Sequence, residues 1–365
     1  MELVTTVLSV TVISVALALI IIIAEYFFNN YGECDIDINN GDKVIKVEGG
    51  SSLLSTLAGQ KIFIPSACGG KATCGLCKVQ VMEGAGPLLP TEEPYLNDDE
   101  RNNNYRLSCQ VKIKNNIRII IPEEFFNIRE YITTIESIEQ LTHDIKGLRL
   151  KLPEGEKVKF KAGQYIQLYT KPYGKIKESV YRAYSIANVP SDNESIDLII
   201  RQVPDGICTT YVHTQLSEGD NVKINGPYGE FYLRGNCDEI VMIAGGSGLA
   251  PIKSIILDVL EKGIDIKMNF FFGAVTKRDL YNLEYFHDLA AKHNNFRFIP
   301  ALSKPAPEDN WDGEVGLITE VVERYIKNGN GMEGYLCGSP GMIKACINVL
   351  AAKGIPEEKV YYDKF

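Results

Sequence analysis

The rhythm of hydrophobic and polar positions changes several times along the chain. Residues 3–24 carry no charge, proline or glycine, only Thr and Ser among Leu, Val, Ile and Ala. A helix over this stretch would reach ~33 Å, enough for a hydrocarbon core of ~30 Å. Glu2 and Glu25 bracket it. A signal peptide needs a basic start and a small-residue cleavage site, and neither is present, so a retained single-span anchor over 1–26 is expected. No Lys or Arg precedes Lys43, which leaves orientation to the ease of translocating a two-residue acidic tail, N-terminus outside. Shorter alternating runs follow. Residues 35–38 and 43–47 read as a hairpin turning at Gly41 and Asp42. Residues 52–58 read as a short helix capped by Ser52, and 79–82, 107–111 and 117–121 as strands. Further strands are expected at 163–169 and, after a turn at 226–229, at 230–233; residues 211–216 look helical. Beyond residue 238 the pattern changes again. Apolar runs at 239–244, 267–273, 296–301 and 334–337 alternate with helical patterns at 249–262 and 341–353, which predicts a parallel, doubly wound α/β sheet.

Length and composition narrow the class. A chain of 365 residues suggests two or three domains, since single cores rarely grow past ~250 residues. Hydrophobic residues at 45% and charged residues at 23% exclude a disordered chain, a collagen repeat and a multi-span membrane protein. A net charge of −9 argues against nucleic acid, whose phosphates need clustered Lys and Arg. Nine cysteines, an odd number, exclude a fully paired disulfide framework.

Four of those cysteines carry chemistry. Cys68, Cys74 and Cys77 stand in the spacing C-x5-C-x2-C, and Cys109 follows 32 positions after Cys77. Two irons bridged by two sulfides need four thiolates converging from a loop that wraps the cluster. Gly69, Gly70 and Gly75 let backbone amides approach sulfur. A zinc ribbon is the competing reading, but it needs two CxxC pairs and the second is missing. Glu92, Glu93, Asp98, Asp99 and Glu100 lie between the third and fourth ligands, either as a solvated loop or as a surface steering a basic partner.

Two further constellations follow. In Arg182-Ala-Tyr184-Ser185 a guanidinium suits a pyrophosphate, an aromatic ring suits a flavin face, and a hydroxyl suits the flavin N5. Gly206-Ile-Cys208-Thr209-Thr210 opens a helical pattern, and N–H groups at a helix start suit phosphate. Gly245-Gly246-Ser247-Gly248 sits between an apolar strand and a helix with Pro251 near its first turn, a phosphate cradle that is not the G-x-G-x-x-G fingerprint. Cys337-Gly338-Ser-Pro ends the last apolar run. His143, His213, His287 and His293 share no metal-ligand spacing.

The cysteine segment, over 33–125, resembles the β-grasp [2Fe–2S] ferredoxins, in the x5 variant of adrenodoxin type. The Arg182, Gly206 and Gly226 motifs, in that order over 130–234, resemble the antiparallel flavin barrel of the ferredoxin–NADP⁺ reductase superfamily, and 235–365 its nicotinamide domain. The resemblance implies that Arg182 holds phosphate, Tyr184 stacks on the isoalloxazine and Ser185 contacts N5. It implies FAD rather than FMN at 206–210, and Cys337 beside the nicotinamide C4. Relatives often place a terminal aromatic on the second flavin face, which makes Phe365 the candidate. The NADP-binding Ser-Arg pair is replaced by Ser303-Lys304, which favours NADH; Lys277 and Arg278 offer further charge.

Anchor, [2Fe–2S], FAD and NADH in this order resemble the F subunits of sodium-translocating NADH:quinone oxidoreductases. The closer match rests on Ser66-Ala-Cys-Gly-Gly, Leu88-Leu-Pro-Thr-Glu92, Arg182-Ala-Tyr-Ser-Ile-Ala-Asn188, Gly226-Pro-Tyr-Gly-Glu-Phe231 and Pro307-Glu-Asp-Asn-Trp311. The implied path is hydride from NADH to FAD, then single electrons to the cluster, membrane partner subunits and a quinone. Its place would be the cytoplasmic membrane, with the cofactor domains in the cytoplasm. Typical members carry a longer insertion before Arg182, which puts contacts with partner subunits in doubt. Oxygenase reductase components share the cofactor order without the span, and a non-catalytic electron-carrier or assembly module stands as the reading from another class.

Overall fold

The computed structural model describes residues 2–28, 31–235 and 237–364. The chain forms two compact units, Met1–Ile128 and Arg129–Phe365. In the first, α1 (Glu2–Phe28) is a helix of 27 residues. Most of its described side chains are apolar and exposed, Val12, Ile13, Ile20 and Ile21 each about 60%, and Thr11 turns its hydroxyl back onto Val7 O at 2.8 Å. Among the described residues no helix is long and apolar enough to cross a membrane; the expected span over 3–24 lies in part outside the residues whose side chains are described.

The remainder of this unit is one mixed sheet with a helix on it. Its strands are β1 (Glu33–Ile38) and β2 (Lys43–Glu48), followed by helix α2 (Leu53–Gly59), then β3 (Lys78–Glu83), helix α3 (Asp98–Asn102), β4 (Tyr105–Leu107) and β5 (Ile117–Ile120). The order is β2-β1-β5-β3-β4, with β1 and β5 parallel. Alternation sets the faces: Cys34, Ile36 and Ile38 are buried, while Glu33, Asp35 and Asp37 take the other side of the pleat. The Ser52 side chain caps α2 by accepting from Ser55 N, and Leu53, Leu54 and Leu57 turn inward onto the sheet. The strand expected over 107–111 is corrected. The ladder stops at Leu107, and the chain turns there through Gln110 N to Leu107 O at 2.8 Å and Val111 N to Leu107 O at 3.2 Å. Val111 is apolar because the turn buries it, not because it continues a strand.

The second unit opens with an all-antiparallel sheet. Its elements are β6 (Arg129–Gln140), β7 (Ile145–Lys151), β8 (Tyr165–Tyr169), β9 (Tyr181–Ser185), β10 (Ser195–Arg201), helix α4 (Ile207–Thr214) and β11 (Asn221–Tyr228). The order is β10-β7-β6-β11-β8-β9. Its two ends meet: Ile186 bridges Leu198, and Ala187 N donates to Asp197 O at 2.8 Å. The sheet thus closes into a barrel around Ile135, Leu148, Leu150, Ile166, Leu168 and Leu198. The expected strand at 230–233 is absent. β11 instead runs on to Tyr228, and the residues beyond it are sheltered without a ladder: Phe231 packs into the core beneath the parallel sheet, and Lys161 and Arg234 lie 4.1 and 4.0 Å from the Tyr232 ring centroid.

A parallel sheet completes the unit. It comprises β12 (Glu239–Gly245), α5 (Leu249–Glu261), β13 (Lys267–Ala274), α6 (Leu283–Lys292), β14 (Phe296–Leu302), β15 (Glu314–Val315), α7 (Ile318–Tyr325), β16 (Glu333–Gly338), α8 (Pro340–Ala352) and β17 (Val360–Lys364). The order β15-β14-β13-β12-β16-β17 reverses direction between β12 and β16. Alternate residues of β12 enter two cores. Ile240, Met242 and Ala244 pack with α5 and α6, and Val241 and Ile243 with α7 and α8. Burial on both faces explains the continuous apolar runs of these strands.

Candidate functional site

The first site is built where β3 and β4 pair. Lys78 lies opposite Leu107, and Ser108 N donates to Cys77 O at 2.8 Å, so the residues flanking this ladder bring Cys77 and Cys109 together. The other two cysteines come from the preceding loop, with Cys74 Sγ 3.4 Å from Cys68 Sγ. Lys71 N donates to Cys68 Sγ at 3.2 Å, as expected of amides folded around sulfur. Each pair shares its proton unevenly. The Cys74 thiol beside it draws Cys68 down to about 3, and Cys68 in turn pushes Cys74 up. Cys77 draws Cys109 down to about 7 and is itself pushed up. Among the described residues none of the cysteines is bridged. Nor do three or more Cys, His, Asp or Glu gather around one metal-ion position there. Two facing pairs suit two irons, each taking two thiolates, better than one tetrahedral zinc.

The acidic run near this site resolves into separate roles. Glu92 is fully buried. It accepts from Arg106 Nε at 3.0 and 3.2 Å, from Arg106 Nη2, and from Leu107 N at 2.9 Å. Glu100 pairs with Lys78 at 2.6 Å and completes the cap of α3. Glu93, Asp98 and Asp99 alone stay exposed. Nothing in the cysteine spacing signals the Glu92–Arg106 pair, because a buried pair and two surface charges look alike in sequence.

The second site lies along β9 and the start of α4. Strand alternation puts Arg182 and Tyr184 on one face, Ala183 and Ser185 on the other. Among the described residues the Arg182 guanidinium has no carboxylate partner, only Tyr181 O at 2.7 Å. The Tyr184 hydroxyl is buried without a hydrogen-bond partner, and burial pushes its pKa up. Gly206 caps α4 without a side-chain bond, and a helix start of this kind suits an anion. A Cβ on Gly206 would lie 2.4 Å from Thr209 Oγ1, and Thr210 N donates to Gly206 O at 2.8 Å. The Tyr173 hydroxyl donates to Ile207 O, tying the 170–180 loop to that turn. An orphaned hydroxyl, an unneutralised guanidinium and an uncapped helix start fit a dinucleotide such as FAD.

The third site lies at the carboxyl ends of β12 and β16, where the strand order reverses and open α/β sheets bind ligands. Ala244 and Cys337 are register partners. The Gly245–Gly248 turn meets the Cys337-Gly338 turn so closely that a Cβ on Gly248 would stand 2.2 Å from Cys337 O. Ser247 is half-buried at the tip of the first turn. Cys337 is fully buried, and burial raises its pKa far above the usual thiol value. β17 pairs Asp363 with Cys337 and Lys364 with Gly338; Phe365, expected on the flavin, lies outside the described residues. Two neighbours carry no signal in the sequence. Arg201 Nη1 lies 3.2 Å from where a Cβ on Gly246 would sit, held by Asp144 at 2.7 Å. The Tyr281 hydroxyl donates to Gly246 O at 2.8 Å. Arg201 merely ends β10, so no motif marks it. Lys304 is exposed after β14, its N–H bonded to Val275 O at 2.9 Å.

Comparison with known proteins finds three family models along the chain. A 2Fe-2S iron-sulfur cluster binding domain model matches residues 36–114, an oxidoreductase FAD-binding domain model 133–232, and an oxidoreductase NAD-binding domain model 242–347. Among solved structures, the cytochrome P450 reductase of Amycolatopsis superposes with a TM-score of 0.72 at 27% identity, over 91% of this chain and 98% of that one. The ferredoxin reductase of carbazole 1,9a-dioxygenase does so at 0.68 and 24% identity, over 92% and 98%, a likeness of fold alone. In sequence, the F subunit of the Na(+)-translocating NADH-quinone reductase of Histophilus somni is 39% identical over 396 residues, 97% of each chain. The F subunit of the Neisseria meningitidis enzyme is 38% identical over 405 residues, the whole of both chains. An alignment of 405 positions holds a chain of 365 residues only with gaps on this chain's side. With identity of this order from end to end, the chain belongs to the family of Na(+)-translocating NADH-quinone reductase F subunits.

Proposed function

We propose that this chain is the NADH-oxidising subunit of a membrane-bound, sodium-translocating NADH:quinone reductase. The observation that carries the reading is the pair of facing thiol pairs, Cys68–Cys74 and Cys77–Cys109, in one chain with the flavin barrel and the nicotinamide sheet. When bound, FAD accepts hydride from NADH and releases electrons singly to a [2Fe–2S] cluster. The protein's part is to bind and orient. Arg182 and the first turn of α4, Gly206 to Thr210, neutralise the FAD pyrophosphate; Tyr184 covers the isoalloxazine and Ser185 faces N5. The turn from Gly245 through Gly246 and Ser247 to Gly248 receives the NADH phosphates, with Arg201 adding positive charge beside it. Cys337 and Gly338 form the strand end against which the nicotinamide lies. Lys304, a weaker bidentate partner than Arg, favours NADH over NADPH.

Helix α1 anchors the chain in the membrane, a reading supported by the absence of any charge from Leu3 to Ala24 and by the exposed Val, Ile and Leu side chains between Val10 and Ile21. Membrane subunits of the same complex receive the electrons and pass them to a quinone. The likeness to a P450 reductase favours a second reading, a reductase serving an oxygenase. Reduction of a quinone by membranes containing the chain, and not by the purified chain with an oxygenase component, separates the two. The direct test uses the full chain reconstituted with FAD, iron and sulfide. It should be yellow-brown and reduce ferricyanide with NADH. Cys74→Ala should lose the cluster's visible absorption and keep NADH-dependent flavin bleaching near the wild-type rate. A colourless wild-type preparation would refute the reading.

A further inference from the structure

Ser108 stands next to the fourth cysteine, Cys109, and its side chain is fully buried. Its backbone is satisfied on both sides, with N donating to Cys77 O at 2.8 Å and O accepting from Leu54 N at 3.0 Å. Its hydroxyl is not: Ser108 Oγ is buried with no hydrogen-bond partner. A buried hydroxyl without a partner loses its hydration uncompensated and is rare in native proteins. Lys78 is the register partner of Leu107 and Ser108 N donates to Cys77 O, so Ser108 stands opposite Cys77 across this ladder, where directly opposed side chains share a face. A neutral thiol is a poor acceptor, whereas a thiolate carrying part of a cluster's charge is a strong one.

We propose that Ser108 is a tuning residue of the iron–sulfur site, its hydroxyl donating a hydrogen bond to the Cys77 sulfur and raising the cluster's reduction potential. This rests on the [2Fe–2S] reading of the four cysteines. Reduction adds negative charge that spreads onto the sulfurs, so a donor there stabilises the reduced state more than the oxidised one. The bond would also satisfy the one polar atom of Ser108 that the fold leaves open. Ser66, fully buried in the loop that carries Cys68, already accepts from Gly70 N at 3.4 Å.

The test is an EPR-monitored redox titration of the full chain, wild type against Ser108→Ala, Ser108→Gly and Ser108→Thr. Wild type should give a reduced-cluster signal; its absence would refute the ferredoxin reading itself, and the proposal with it. Ala and Gly, which lack the hydroxyl, should keep the cluster and titrate at lower potential. We expect about a tenfold change in the reduction equilibrium, ~59 mV for one electron. Thr, which retains the hydroxyl, should titrate near wild type. An unchanged midpoint in Ala and Gly, or an equal shift in all three variants, overturns the proposal. So does loss of the cluster in Ala and Gly with retention in Thr, which would make the hydroxyl an assembly requirement.

Discussion

Arg106 divides one guanidinium between the Glu92 carboxylate and the backbone carbonyls of Ala85, Gly86 and Pro87. With Glu92 it fastens the 85–92 loop to β4, three residues before Cys109. Removing one member of such a pair leaves a buried charge uncompensated, at ~3–5 kcal/mol, whereas replacing both by apolar groups is often neutral. Arg106→Met should therefore lower the denaturation midpoint of the cluster's visible absorption strongly, and E92L with R106M together should recover most of it. The acidic letters between the third and fourth cysteines carry no mark of this division of labour. Only depth distinguishes Glu92 from exposed Asp98 and Asp99, and depth is a property of the folded loop.

The elements that matter are turns resting on turns. Gly248 lets the first phosphate-type turn lie against the carbonyl of Cys337, and backbone cannot move aside as a side chain can. Gly248→Ala should weaken NADH binding about tenfold, from a displacement costing ~1–3 kcal/mol, while FAD stays bound. Fluorescence titration with NADH and the flavin spectrum together measure this. The parallel runs were readable because burial on both faces makes β12 and β16 apolar throughout, and the glycines after β12 mark where it ends. The two misread strands failed for a shared reason. Alternation reports only that every second residue is sheltered. Val111 is sheltered by a turn, and Tyr232 by Lys161 and Arg234, so neither needed a ladder partner.

At the scale of the whole molecule, cofactor order was legible from motif order, because each cofactor requires its own short constellation. Arg201 was not legible: it reaches the Gly246 turn from the barrel, across a gap of more than forty residues in sequence. The membrane reading makes a test at this scale. Deleting residues 1–30 should move the chain from the membrane fraction to the supernatant without altering NADH–ferricyanide reductase activity more than about twofold; an unchanged membrane fraction would assign attachment elsewhere. The division of sulfur donors into two facing pairs also bears on maturation. Zinc binds thiolates tightly and competes for them during synthesis, but it wants its ligands around one point. Donors set out in twos offer a lone ion half a shell at each position, so the loop favours a preassembled two-iron unit over the single ion that reaches it first.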